Sequence, residues 1–198
     1  GQDYRVVAYS RDPATRRAPD SLRGAHPLGK APVIEVDGLV LAESGAIIEY
    51  LLDRHDQGTL RPPAGTESRR AFTFWLHYAE GSIMPQLLLR AVFDGIENGP
   101  LPLLIRPLAR ALARGVKRVV VAPQLMLHLD HMEKSVAPTG WFAGQAFTAA
   151  DIQMSFPVQA AASLGLLEDR PALAAWQARI EARPAWQRSV ERGGRFRL

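Results

Sequence analysis

Hydrophobic residues change their spacing once along this chain, near residue 58. Before that point short β-branched runs and one helical stripe alternate, and after it every periodic stretch repeats at three and four residues. Tyr4 to Tyr9, YRVVAY, predicts a strand. Ser10 to Gly29 is polar and broken by Pro13, Pro19, Gly24 and Pro27, leaving room for one short helix around Ala14 to Leu22. Val33 to Val36 is a second extended run. Asp37-Gly38 follows, a dipeptide that supplies the positive φ of a two-residue hairpin turn, so Leu39 to Leu41 can return antiparallel. Ser44 then precedes Ile47, Ile48, Leu51 and Leu52, the stripe of a helix that its hydroxyl would cap and that ends near His55.

Gln57 to Thr66, with Pro62-Pro63 and two glycines, reads as the linker. Glu67 to Asn98 carries Phe72, Trp75, Leu76, Ala79, Ile83 and Leu87 at helical spacing, with a bend expected at Gly81 and Pro85. Pro100 to Pro107 is a connector. Leu108 to Lys134 predicts a second long helix kinked at Pro123; the β-branched Val119 to Val121 is read as helix because its flanks are helical. Thr148-Ala149-Ala150-Asp151 has the form of a capping box, with Phe147 and Ile152 placed to form a hydrophobic staple. The helix it opens runs through Met154, Val158, Ala161 and Leu164 to Gly165 almost without charge, which predicts burial. Pro171 suits the first position of a helix through Leu173, Trp176 and Ile180, and a last short helix follows Pro184.

Composition narrows the classes. The 198 residues are 47% hydrophobic and 22% charged, as in a globular protein with a sizeable core. No apolar run approaches the roughly 20 residues of a membrane span, so a membrane is not expected as a partner. The N-terminus has no apolar leader and the chain has no cysteine, which fits a cytoplasmic location and excludes disulfides and dithiol chemistry within these residues. The net charge is +4, but the arginines are scattered singly along helices, so nucleic acid is not expected either.

Candidate chemistry gathers at the end of the hairpin. Glu43 and Ser44 arrive at a helix N-terminus, where orphan amides favour an anion and Glu43 supplies a negative charge beside it; a zwitterion suits that pair. Pro32 opens a strand, and if its peptide bond were cis the Ala31 backbone would face outward for an extended peptide. An ordinary hairpin and capped helix that binds nothing has the same spacing. His128 and His131, with Asp130 and Glu133, lack the ligand set of a zinc site, and no metal is expected. No P-loop, dinucleotide fingerprint or Gly-x-Ser-x-Gly is present. Trp75, Tyr78 and Ser82 could line an apolar pocket where the first long helix faces the N-terminal part, or simply pack in a core.

GKAP, then a hairpin, then ESGAIIEYL resembles the glutathione-binding half of the glutathione S-transferase family, of the cytosolic type found in bacteria and fungi. The capped, buried helix at Thr148 is similar to one in that family's C-terminal domain. The resemblance implies an α+β protein. A thioredoxin-like α/β domain would span 1–58, lacking its first strand and helix here, a linker 59–66, and an all-helical domain 67–198. It implies that Ala31, before a cis Pro32, pairs with the cysteinyl backbone of glutathione. Glu43 and Ser44 would take the γ-glutamyl group, Lys30 would reach the glycine carboxylate, and His26 stands where many members have Asn. Trp75, Tyr78 and Ser82 would form the second-substrate pocket. The activity the resemblance implies is addition of the glutathione thiolate to small electrophiles, with hydroperoxide reduction as a second activity open to it, by a homodimer using glutathione as co-substrate and no other cofactor. A non-catalytic binding or adaptor protein of the same fold is the alternative. The thiol-activating Tyr, Ser or Cys of the family lies at the end of a strand preceding Tyr4. Gly1-Gln2-Asp3 reads like the interior of a longer sequence, so the catalytic residue is not assigned, and Tyr4, Tyr9 and Ser10 are not given that role.

Overall fold

The computed structural model describes residues 3–10, 12 and 18–194. The chain divides into two compact units: one runs to Leu60 and includes the segment from Arg183, the other extends from Arg61 to Ala182.

The first unit holds α1 (Asp20–Ala25), β1 (Val33–Val36), β2 (Leu39–Ala42), α2 (Ser44–His55) and α9 (Pro184–Gly193). β1 and β2 form a two-stranded antiparallel sheet, with Val33 opposite Ala42 and Val36 opposite Leu39. Asp37 and Gly38 both take positive φ, 52° and 79°, which makes the connection the type I′ turn that the dipeptide favours. Arg54 of α2 reaches back to Asp37 at 3.4 Å and lies over the Tyr50 ring, tying the turn to the helix. Ile47 and Leu52 are the buried positions of α2.

The first expected strand is not formed in this unit. Residues Tyr4–Tyr9 form no strand, because an extended segment becomes one only by pairing and the ladder here contains β1 and β2 alone among the described residues. Of the short helix expected around Ala14 to Leu22, α1 covers Asp20 to Leu22 and runs on to Ala25, and residues 13–17 lie outside the described residues.

The second unit is all helical. α3 (Glu67–Tyr78) and α4 (Met84–Asn98) are joined by a π-helical turn at Ala79–Ile83, and α5 (Arg106–Val116) and α6 (Ala122–Val136) by another at Lys117–Val121. The bends expected at Pro85 and Pro123 take this form for a physical reason. A proline has no N–H, and its ring collides with the carbonyl four residues back. Widening the preceding turn lets Met84 donate to the Ala79 carbonyl and Ala122 to that of Lys117, five residues back, before the proline enters. Val119 to Val121 is therefore helical, as its flanks require.

α7 (Ala149–Ser163) is the buried helix expected from its lack of charge; Met154, Val158, Ala160 and Ala161 have no exposed surface. It packs against α3, α4 and α8 (Pro171–Glu181). Phe72, Leu129, Met132, Leu173 and Trp176 complete this core. Proline opens α8 as expected and also sits inside α7 at Pro157, which was not anticipated.

Candidate functional site

The hairpin register decides what the first unit can present. Val33 and Ala42 are the last paired residues, so Pro32 and Glu43, the next on each strand, leave the ladder at the same end. Lys30-Ala31-Pro32 on one strand and Glu43-Ser44 on the other are thus neighbours by topology. The Ala31–Pro32 peptide is cis, and Lys30, Ala31, Pro32 and Glu43 are all exposed.

The segment leading in is held by local bonds. The His26 amide closes α1 on the Leu22 carbonyl, and its Nδ1 accepts from the Leu28 amide at 3.4 Å. Gly29 then donates to the His26 carbonyl at 2.8 Å with φ of 57°. A Cβ at Gly29 would lie 2.8 Å from Cγ of Arg23, so both conformation and space call for glycine.

Ser44 does not cap α2. Glu43 is the N-cap, no side chain caps the first turn, and Ser44 is the first helical residue. Glu43 has φ of 71° and ψ of 120°, a conformation that costs a residue with a side chain about 1–3 kcal/mol. That backbone swings the chain from β2 directly into α2 and leaves the helix's first turn without a side-chain cap at the end that carries Glu43 and Ser44. A carboxylate with a neighbouring ammonium is the ligand chemistry this end can take.

The second unit contains Trp75, Tyr78 and Ser82. Trp75 is buried in an aromatic cluster, stacked on His131 at 5.1 Å and near Phe142 at 4.6 Å. Tyr78 is also buried, its hydroxyl 2.5 Å from Nδ1 of His128, and burial pushes its pKa up to about 12. Burial, and then the neighbouring His131, hold the His128 pKa below its ordinary value, so a neutral ring faces the phenol. Ser82, half-buried, lies in the first π-helical turn.

The side chains weighed as metal ligands have other work. Asp130 pairs with Arg170 at 2.7 Å. Glu133 accepts from the Ala172 and Leu173 amides, both at 2.8 Å, and so caps α8 from another helix. Pro171 brings no N–H of its own, leaving those two amides as the donors that need an acceptor. Among the described residues no group of three His, Asp or Glu side chains could hold a metal ion.

Asp151 is the polar centre of the unit. Fully buried, it accepts from the amides of Phe142 (3.0 Å) and Thr148 (2.8 Å), the Thr148 hydroxyl (3.1 Å) and Nε1 of Trp176 (3.0 Å). Burial outweighs these donors and raises the carboxyl's pKa. The capping box is present; the staple is less complete, with Ile152 half exposed and the Phe147 ring set edge-on to Trp141. The box was legible from spacing, whereas Phe142 and Trp176, 9 and 25 residues away from Asp151, were not.

With this geometry in hand, comparison with known proteins is informative. Residues 1–53 match the model of the glutathione S-transferase N-terminal domain, and residues 118–184 that of the C-terminal domain. Glutathione S-transferase 3 of Schizosaccharomyces pombe is 30% identical over 96% of this chain and 77% of its own length. The chain belongs to the glutathione S-transferase family. A crystal structure of a glutathione S-transferase from Actinobacillus pleuropneumoniae superposes with a TM-score of 0.75 at 32% identity, covering 96% of this chain and 81% of the other. A sphingomonad glutathione S-transferase solved in complex with glutathione gives 0.69 at 25% identity, over 94% and 86%. The transferase fold is therefore this chain's fold: a small N-terminal unit with a β-hairpin, and a mostly helical C-terminal one.

Proposed function

We propose that this protein is a glutathione transferase that adds the glutathione thiolate to small electrophiles, and that the hairpin end of the first unit holds the glutathione. The observation carrying this reading is the register that brings Ala31-cis-Pro32 and Glu43-Ser44 to one end of the ladder, beside an uncapped helix N-terminus. In this assignment the Ala31 backbone pairs with the cysteinyl residue. The γ-glutamyl carboxylate rests on the Ser44 hydroxyl and the first-turn amides, and its ammonium on Glu43. Lys30 takes the glycine carboxylate, and His26 supports the segment that carries Lys30. Of the three residues expected to line the second-substrate pocket, half-buried Ser82 is the one placed to meet the electrophile, and Trp75 and Tyr78, buried in the helical unit, back it from beneath.

In the reaction, the glutathione sulfur gives its electron pair to the electrophilic carbon, a C–S bond forms, and the leaving group departs with the bonding pair. The thiol proton passes to solvent as the thiolate forms. Glutathione is a co-substrate, and no other cofactor is invoked. A homodimer in the cytoplasm, with the first domain ending near residue 58 and the helical one beginning at 67, completes the proposal. Turnover of chlorodinitrobenzene, and of an organic hydroperoxide, tests it. Conjugation that saturates with glutathione is the expected result. Glutathione binding with no turnover of either compound would indicate a binding protein of the same fold.

A further inference from the structure

α8 begins on a row of acceptors supplied by α6. Met126, Asp130 and Glu133 follow one another at helical spacing along one side of α6. Glu133 accepts from the Ala172 and Leu173 amides. Asp130 and Met126 share Nη2 of Arg170, the residue just before α8, at 2.7 Å to Oδ1 and 3.7 Å to Sδ. Arg170 is 5% exposed, and its Nε, shut off from water, has no hydrogen-bond partner among the described residues. A buried cation with an idle donor is costly, and a thioether is the weakest acceptor in that row. The guanidinium is planar and rigid, with Nε–H and one Nη2–H aimed along the same edge, so an oxygen placed there would accept from both.

Met126 can supply that oxygen. It is 46% exposed, whereas Met132 and Met154 have no exposed surface and Met84 is half-buried. We propose that Met126 is an oxidation site whose product the fold is arranged to hold: a hydroperoxide converts the thioether to the sulfoxide, and the new oxygen accepts from Nη2 and Nε of Arg170. A sulfur lone pair attacks the outer peroxide oxygen, and the S–O bond forms as the O–O bond breaks. The departing oxygen takes the proton of the transferred hydroxyl and leaves as water or an alcohol. Sulfur loses two electrons and the peroxide gains them. Methionine oxidation ordinarily loosens a fold by putting a polar oxygen among apolar atoms. Here the oxygen meets a buried cation that lacks a partner, so the joint of α6 with α8 should tighten. Because Met126 lies at the surface, its sulfoxide stays open to enzymatic reduction, and the change is reversible.

Mild treatment of the folded protein with hydrogen peroxide, taken to one added oxygen by intact mass and mapped by peptide mass spectrometry, tests this. Met126 is expected to oxidise at least about fivefold faster than Met84, Met132 or Met154. The singly oxidised protein should melt about 2–4 °C above the native one. Met126→Gln, whose amide oxygen stands in for that of the sulfoxide, should match it without peroxide. Met126→Leu should melt no higher than the native protein, and the same treatment should not shift its melt. In a proton–nitrogen correlation spectrum the Nε–H resonance of Arg170 should move downfield on oxidation, as for a donor that gains an acceptor. Oxidation of Met84 as fast as that of Met126, a lowered melt in the singly oxidised protein, or an unmoved Arg170 resonance would overturn the proposal.

Discussion

The outer end of the hairpin and the surroundings of Asp151 use carboxylates in opposite ways. Glu43 is exposed, stands on a strained backbone, and its carboxylate makes no capping hydrogen bond with the helix it opens. Asp151 is fully buried and accepts from four donors on three segments of the helical unit. A carboxylate in water that is left unengaged by its own chain can serve a ligand; one locked among four donors can serve only the fold. Binding and stability should therefore separate cleanly by position in this molecule, and substitutions can break or sharpen that separation.

The largest effect belongs to Asp151→Ala. It leaves two amides, a hydroxyl and an indole N–H buried without their acceptor, at about 1–3 kcal/mol for each unsatisfied group, less whatever water can enter. A loss of at least about 3 kcal/mol is expected, read by denaturant titration. Glutathione affinity of the fraction still folded should be unchanged.

Next comes the buried phenol. The pKa of Tyr78 is about 12 in the folded chain against 10.0 for an ordinary tyrosine. The folded state thus resists ionisation that the unfolded chain accepts freely. The contribution of Tyr78 to stability should be constant below pH 10.0 and decline as pH climbs from there towards about 12. Melts across that range should show the decline, and Tyr78→Phe should flatten it, at a cost of about 1–2 kcal/mol at neutral pH for stranding His128.

A smaller change is expected at the start of α3. The Thr66 hydroxyl accepts from the Arg69 amide at 3.1 Å, so Thr66→Ala should cost about 1 kcal/mol of stability. Ser44→Ala gives the contrast. Because Ser44 caps nothing, its removal should hardly move the melting temperature, although spacing alone suggests a loss like that at Thr66.

These two positions show what could be read in advance. The type I′ turn at Asp37-Gly38, the capping box at Thr148-Asp151 and the burial of α7 were legible because each is set by residues close together in sequence. Ser44 misled because serine before an apolar stripe signals an N-cap, while the true cap, Glu43, takes a conformation no local propensity predicts. Tyr4 to Tyr9 misled because a strand needs a partner that composition does not reveal. The bond between Tyr78 and His128, and the capping of α8 by Glu133, join residues far apart in the chain, and no spacing rule reaches them. At the site, the hairpin residues were legible as a set; that their two strands end together follows from the register.

The most direct test of the separation is Glu43→Gln, studied by calorimetric titration with glutathione beside a thermal melt. The amide keeps the shape and hydrogen bonding and removes the charge. A charge-assisted hydrogen bond is worth about 1.5–3 kcal/mol against about 1 for a neutral one, and exposure to water favours the low end. Affinity should fall by about three- to thirtyfold, at 1.4 kcal/mol for each factor of ten, while the melting temperature stays where it was. Unaltered affinity, or a melt lowered as far as the affinity, would contradict the account.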